Sequence, residues 1–229
     1  MLFETGNLYH IYNQGNNRQQ IFFSHENYIF FLKKLKKHIL PHADILAWCL
    51  MPNHFHLMIY VKDVIIANEA LTHGVTSSHP VSRVKEINLT SSHPVSRGNS
   101  EMTSSHPVSR VKEINLNNNI AIMLRSYTRA INKQFDRSGN LFRESTKAEC
   151  LTNIQGITPS FFGSQINVRI PEKEYPQVCF NYIHQNPVNA NLVKRPEDWQ
   201  FSSYPDYFAG RNGKLINKIR AAEFELIMK

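Results

Sequence analysis

The 229-residue sequence predicts an α+β domain, an antiparallel sheet with helices on one face and a further C-terminal helical segment. Three observations predict it. Segments of period-two and period-3.6 apolar spacing succeed one another as strand, helix, strand, strand, helix, strand, the order of a split βαβ sandwich of the ferredoxin or RNA-recognition (RRM-like) type. The apolar run 48–61 carries Pro52 and Asn53 near its middle, residues that suit a tight turn between two paired strands. A repetitive stretch then separates the first four elements from the last two. The domain is therefore written in two pieces, 1–71 and 117–229, around an insertion at 72–116.

Residues 7–13 alternate and are rich in aromatic and β-branched side chains, which predicts the first strand. The polar stretch 14–18 makes a turn at Gly15; its amides and Arg18 suit phosphate contact, and equally an ordinary surface turn. Ser24 is a helix N-cap, Glu26 lies in the first turn, and Ile29, Leu32, Leu35 and Ile39 repeat at helical spacing. A helix over 25–39 follows, ended by Pro41. The next two strands, 43–51 and 54–62, form the hairpin around Pro52. Within 72–116, Thr-Ser-Ser-His-Pro-Val-Ser-Arg occurs at 76–83, 90–97 and 103–110. Each copy holds a proline and few apolar residues, so the stretch reads as an expanded, mostly disordered loop rather than a stacked repeat array. Ile120, Met123, Leu124, Tyr127, Ile131 and Phe135 define an amphipathic helix over 118–135, with Gly139 just beyond its end. Residues 141–150 alternate as a strand with Arg143 and Lys147 on one face. A last long helix over 174–184 is closed by Gln185-Asn186-Pro187, because a residue before proline resists helical geometry. Residues 199–204 and the tail 216–228 read as packing elements.

Against 18 Asp and Glu stand 26 Lys and Arg, a net charge of +8 that favours a polyanionic partner. Cys49, Cys150 and Cys179 match neither a zinc spacing nor a disulfide framework, which fits a reducing cytoplasm. The longest apolar runs fall short of the ~18–20 residues of a membrane span, and no signal peptide is visible, so a soluble protein without a membrane partner is expected.

The hairpin carries the chemistry. His54 and His56 are two residues apart in an apolar run, and in a strand they share one face while Phe55 takes the other. Two adjacent imidazoles form half of a divalent-metal site. Taken alone, the same spacing also describes polar residues on the solvent side of a half-buried strand.

Five stretches in order change that balance: Tyr-His-Ile-Tyr-Asn-Gln-Gly-Asn-Asn-Arg at 9–18, Met-Pro-Asn-His-Phe-His-Leu-Met at 51–58, Ser-Tyr-Thr-Arg-Ala-Ile-Asn-Lys at 126–133, Gly-Asn-Leu-Phe-Arg at 139–143 and Tyr-Ile-His-Gln-Asn-Pro-Val-Asn-Ala at 182–190. Together they resemble the REP-associated tyrosine transposase group within the single-tyrosine HUH, or IS200-like, transposases. The resemblance spans nearly all of the chain outside 72–116. It implies the HUH endonuclease fold and a metal-dependent nuclease that cuts and rejoins single-stranded or hairpin DNA. It further implies that His54 and His56 hold Mg²⁺ or Mn²⁺ and that a helix tyrosine, best matched by Tyr127, is the nucleophile. Asn132 is the family-like third metal ligand, with His10 and Gln134 as substitutes. Arg18, Arg125, Arg129, Arg143 and Lys147 are expected to neutralise phosphates, and a homodimer is left open. The competing class is a nucleic-acid-binding regulator of the same fold whose chemistry has decayed. The joint presence of His54, His56 and Tyr127 favours the enzyme.

Overall fold

The computed structural model describes residues 2–68, 112–153 and 171–226. In chain order these form β1 (Leu8–Gln14), α1 (His25–His38), β2 (Ala43–Met51), β3 (His54–Val61), β4 (Ile65–Asn68), β5 (Lys112–Asn115), α2 (Leu116–Gln134), β6 (Lys147–Cys150), α3 (Tyr175–Asn189), α4 (Tyr204–Phe208) and α5 (Lys218–Glu223). Four strands pair antiparallel in the order β2-β3-β1-β6, and β4 with β5 makes a separate two-stranded ribbon.

Alternation along the strands divides the interior in two. Tyr9 and Ile11 of β1, and Phe55, Leu57, Ile59 and Val61 of β3, pack with residues of α1 and α2 in one apolar cluster. The intervening residues Leu8 of β1 and Met58 of β3 pack instead with Cys179, Phe180 and Ile183 of α3. The sheet thus carries α1 and α2 on one face, as the sequence predicts, and the C-terminal helical segment covers the other.

The local causes are specific. Ser24 and Asn27 form a capping box at the start of α1, and Asn115 caps α2 by accepting from the amide of Asn117 at 2.8 Å. β2 and β3 meet at a two-residue turn, where the carbonyl of Pro52 accepts from the amides of Ile21 (2.8 Å) and Phe22 (3.1 Å). Gly15 is required because an added Cβ would lie 2.0 Å from the carbonyl oxygen of Gln19. Its amide donates to Asn53 (2.8 Å), while the amide of Asn16 donates to Leu141 (2.9 Å), so the turn after β1 is tied to both the hairpin and the approach to β6.

Three boundaries depart from the sequence reading. Lys112–Asn115 is strand and α2 begins at Leu116, so the loop expected over 72–116 ends sooner; the three repeats lie outside the described residues. The strand expected over 141–150 is regular only from Lys147; before it, pairing with the end of β1 is reduced to an isolated bridge between Gly15 and Phe142 and a bond from the amide of Arg143 to Gln14 (2.8 Å), and Asn13 Nδ2 donates to the carbonyl of Arg143 (3.2 Å) and to Thr146 Oγ1 (2.9 Å). Most consequentially, α3 does not stop before Pro187 but runs through it to Asn189. Proline costs a helix most in its interior; here it lies in the last turn, which is closed beyond it by Ala190 donating to Asn186 (3.0 Å) and Leu192 to Pro187 (2.9 Å).

Candidate active site

The side chains of His54 and His56 point from β3 toward α3, on the face opposite Phe55. Antiparallel register sets Tyr12 of β1 opposite His56, and Lys147 of β6 opposite Tyr12. One step along, His10 and Glu149 are partners. On α3, Tyr182 and Asn186 are four residues apart and so project from the same side of the helix. A cleft of about 380 Å³ opens here, lined in part by Tyr12, His54, His56, Arg143, Lys147 and Tyr182.

Hydrogen bonds join the group. The rings of His10 and His56 stack at 5.1 Å, with His10 Nε2 2.9 Å from His56 Nδ1. Tyr12 donates to Glu149 Oε1 at 2.8 Å, and the other carboxylate oxygen of Glu149 lies 4.0 Å from His10 Nδ1. The Asn186 carboxamide bridges the pair, 3.2 Å from His54 Nε2 and 3.3 Å from His56 Nε2. Tyr182 lies beside them, its ring centroid 5.3 Å from that of His56. Burial lowers the pKa of His54, and burial with the neighbouring His10 and His54 takes that of His56 well below the ordinary value. Both are neutral imidazoles at neutral pH, the form that ligates metal. Burial also raises the pKa of the Tyr182 phenol, against which a hydrogen bond with Asn186 acts.

This donor set fits a divalent cation. His54 Nδ1 is 2.6 Å from Asn53 Oδ1, and donating its proton there leaves a lone pair on Nε2. That lone pair faces Asn186 Oδ1, so acceptor meets acceptor. Turning the Asn186 amide end over relieves the conflict, and so would a divalent cation, which His54, His56 and Asn186 would hold. Among the described residues no three His, Cys, Asp or Glu side chains gather as a metal site; the set is two imidazoles and a carboxamide. Nitrogen donors with one hard oxygen suit Mn²⁺, and Mg²⁺ when water completes the shell.

Tyr127 is not part of this cleft, which corrects its expected partnership with the histidines. It lies on α2, on the other face of the sheet, fully buried among Phe22, Phe30, Phe31 and Phe142. Its hydroxyl donates to the carbonyl of Ile21 at 2.8 Å, and burial pushes the phenol far above its ordinary range. Asn132 is likewise separated: its Nδ2 donates to the carbonyl of Gly139 at 2.9 Å and ties the turn after α2. Of the substitutes, His10 contacts His56, while Gln134 accepts from Asn27 Nδ2 at 2.9 Å on the other face.

This chain is similar to a REP-associated tyrosine transposase. The solved structure in question is described as "Structure of the REP associates tyrosine transposase bound to a REP hairpin"; it is 14% identical, covers 92% of this chain and 84% of its own, and gives a TM-score of 0.47. No family model matches the chain, and no curated protein matches it. A likeness of this degree assigns no function, which rests instead on the side chains of the cleft. Arg143 and Lys147 are exposed on its rim. Arg125 and Arg129 line a second cleft of about 540 Å³ beside α2, which also includes Arg143. Arg18 is exposed in the turn after β1, its carbonyl accepting from Asn53 Nδ2 at 3.3 Å, one residue from His54. No helix among the described residues is long and apolar enough to cross a membrane.

Sequence reasoning missed Tyr182 and Asn186 as partners of the histidines. The signal was present: Tyr and Asn at i and i+4 share a helical face, provided the helix is continued through Asn186 rather than closed before Pro187.

Proposed function

We propose that the protein is a divalent-cation-dependent enzyme that cuts and rejoins single-stranded or hairpin DNA through a covalent link to Tyr182. The observation that carries this reading is the meeting of a helix tyrosine, its i+4 carboxamide and two neutral imidazoles in one cleft edged by Arg143 and Lys147. Arg143 and Lys147 hold the phosphate backbone of the entering strand. Tyr182 Oη attacks phosphorus, the bond from phosphorus to the 3′ oxygen breaks, and the products are a 5′-phosphotyrosine and a free 3′-OH. Solvent at the open side of the cleft takes the phenol proton and supplies the one that the departing 3′ oxygen gains, so no net proton is released. Because burial disfavours the phenolate, the cationic rim and the Asn186 hydrogen bond have to offset that cost. A divalent cation held by His54, His56 and Asn186 would polarise the scissile phosphate and offset charge on the departing oxygen. The ester link conserves the bond energy, so attack by a second 3′-OH rejoins DNA without ATP. His10 orients His56 through the contact between Nε2 and Nδ1.

Incubation with labelled hairpin and single-stranded DNA in Mn²⁺ or Mg²⁺, followed by a denaturing gel, tests the proposal. A covalent adduct that requires the cation is expected. An adduct-free protein under all these conditions would leave a DNA-binding regulator as the reading to pursue.

A further inference from the structure

A third cavity, of about 510 Å³, opens between α1 and the segment following Gln200, at the β2 edge of the sheet and on the face away from the histidines. Its apolar wall comes from Ile29 and Leu32 of α1, Trp48 of β2, Phe201 and Leu215. Its rim is cationic, with exposed Lys33, Lys36 and Lys214. The one carboxylate lining it, Asp206, is buried and already held by Arg211 at 2.6 Å and by the amide of Gly213 at 2.9 Å. The same Arg211 guanidinium lies 5.5 Å from the centre of the Trp48 ring and donates to the carbonyl of Gln200 at 2.6 Å. Trp48 and Phe201 are themselves almost wholly buried, Phe201 stacked on Tyr28 with ring centroids 3.8 Å apart, so they form a fixed floor beneath the half-buried Ile29, Leu32 and Leu215, and the excess charge around the cavity is positive.

We propose that this cavity is a second binding subsite for single-stranded DNA, in which a base lies against Ile29, Leu32 and Leu215, above the buried rings of Trp48 and Phe201, and the flanking phosphates lie on Lys33, Lys36 and Lys214. It rests on the reading above only in taking single-stranded DNA as the partner. An apolar slot accepts any base face by contact alone, while lysines on one rim track the sugar-phosphate chain; together they give affinity without demanding a sequence. A duplex cannot use the slot, because its bases are already stacked. The subsite therefore retains a strand while the Tyr182 cleft performs chemistry, and it favours single strands over duplex.

The test is fluorescence anisotropy of labelled single-stranded DNA across a salt series, with the full chain and two variants of equal net charge. In one, Lys36→Glu and Lys214→Glu reverse the rim; in the other, Lys173→Glu and Lys194→Glu reverse two exposed lysines elsewhere. Loss of two phosphate contacts predicts affinity lower by about tenfold or more and a log–log salt slope shallower by about 1.4 for the rim variant only. A third variant, Leu32→Trp, fills the slot and should lower single-strand affinity while leaving the salt slope unchanged. Equal losses in the rim and control variants, or no loss in the rim and slot variants, would overturn the subsite. So would a wild-type protein that prefers duplex. The covalent adduct is scored in parallel at saturating DNA: an adduct with no rim effect removes the subsite and keeps the enzyme, whereas a rim effect with no adduct does the reverse.

Discussion

The two faces of the sheet each hold a tyrosine contributed by a helix, and the difference between them separates packing from chemistry. On the α1 and α2 face, Tyr127 is enclosed by four phenylalanine rings and spends its hydroxyl on a backbone carbonyl. On the α3 face, Tyr182 is only half buried and stands beside two histidines, a carboxamide and an open cationic rim. A tyrosine in an apolar stripe is thus informative only once its face of the sheet is known. The first is a core residue whose polar atom is satisfied; the second is the residue we propose as nucleophile.

The largest effects should fall on the α3 face and leave folding nearly intact. Replacing His54, His56 or Asn186 by Ala removes a donor from the proposed cation site, and cation-dependent cleavage should drop by about 1000-fold or more. DNA affinity at fixed salt should change little, since the proposed phosphate contacts are to Arg143 and Lys147. Rates within a few-fold of wild type for the double His54→Ala, His56→Ala variant would break the contrast between the faces. On the other face the same kind of truncation acts on stability. Tyr127→Ala leaves a cavity among the phenylalanine rings and should cost about 3–5 kcal/mol, read from denaturant midpoints. A loss below about 1 kcal/mol would mean that the α2 tyrosine is not the core residue its burial indicates.

A smaller effect comes from the histidines buried on the α3 side. Burial depresses His10 and His184 to about 3, well below an unfolded histidine near 6.5. The unfolded chain therefore takes up protons first as pH falls. Stability is full above about pH 6.5 and declines toward the folded values, by on the order of 1 kcal/mol per histidine per pH unit. Measured in chelator, unfolding free energy should fall between pH 6.5 and 5, and a His184→Gln variant should lose part of that slope. A flat profile over this window would contradict neutral, buried imidazoles on this face.

The sequence makes some of this legible and hides the rest for physical reasons. Period-two alternation suffices to put His54 and His56 on one face, because a strand leaves no other choice. The apolar stripe of Ile120, Met123, Leu124, Tyr127 and Ile131 likewise places Tyr127 against a core, and it is the resemblance of its Ser-Tyr-Thr context that points to chemistry instead. Asn186 and Tyr182 stay hidden because Pro187 reads as a helix stop, although a proline in the final turn removes little. His10 is visible only as an alternative ligand, since its contact with His56 depends on the register between β1 and β3, a long-range pairing that local pattern does not encode. The cavity beside α1 is a tertiary feature of the same kind, built from residues as far apart as His25 and Leu215.

The central claim is that the tyrosine facing the histidines makes the covalent bond. Its most direct test is peptide mapping of the DNA–protein adduct by mass spectrometry, with Tyr127→Phe and Tyr182→Phe assayed beside the wild type. The account predicts DNA attached to Tyr182, an adduct that persists in the Tyr127→Phe variant despite the loss of the bond to Ile21, and none in a folded, DNA-binding Tyr182→Phe protein. DNA attached to Tyr127, or an adduct that survives Tyr182→Phe, would contradict it.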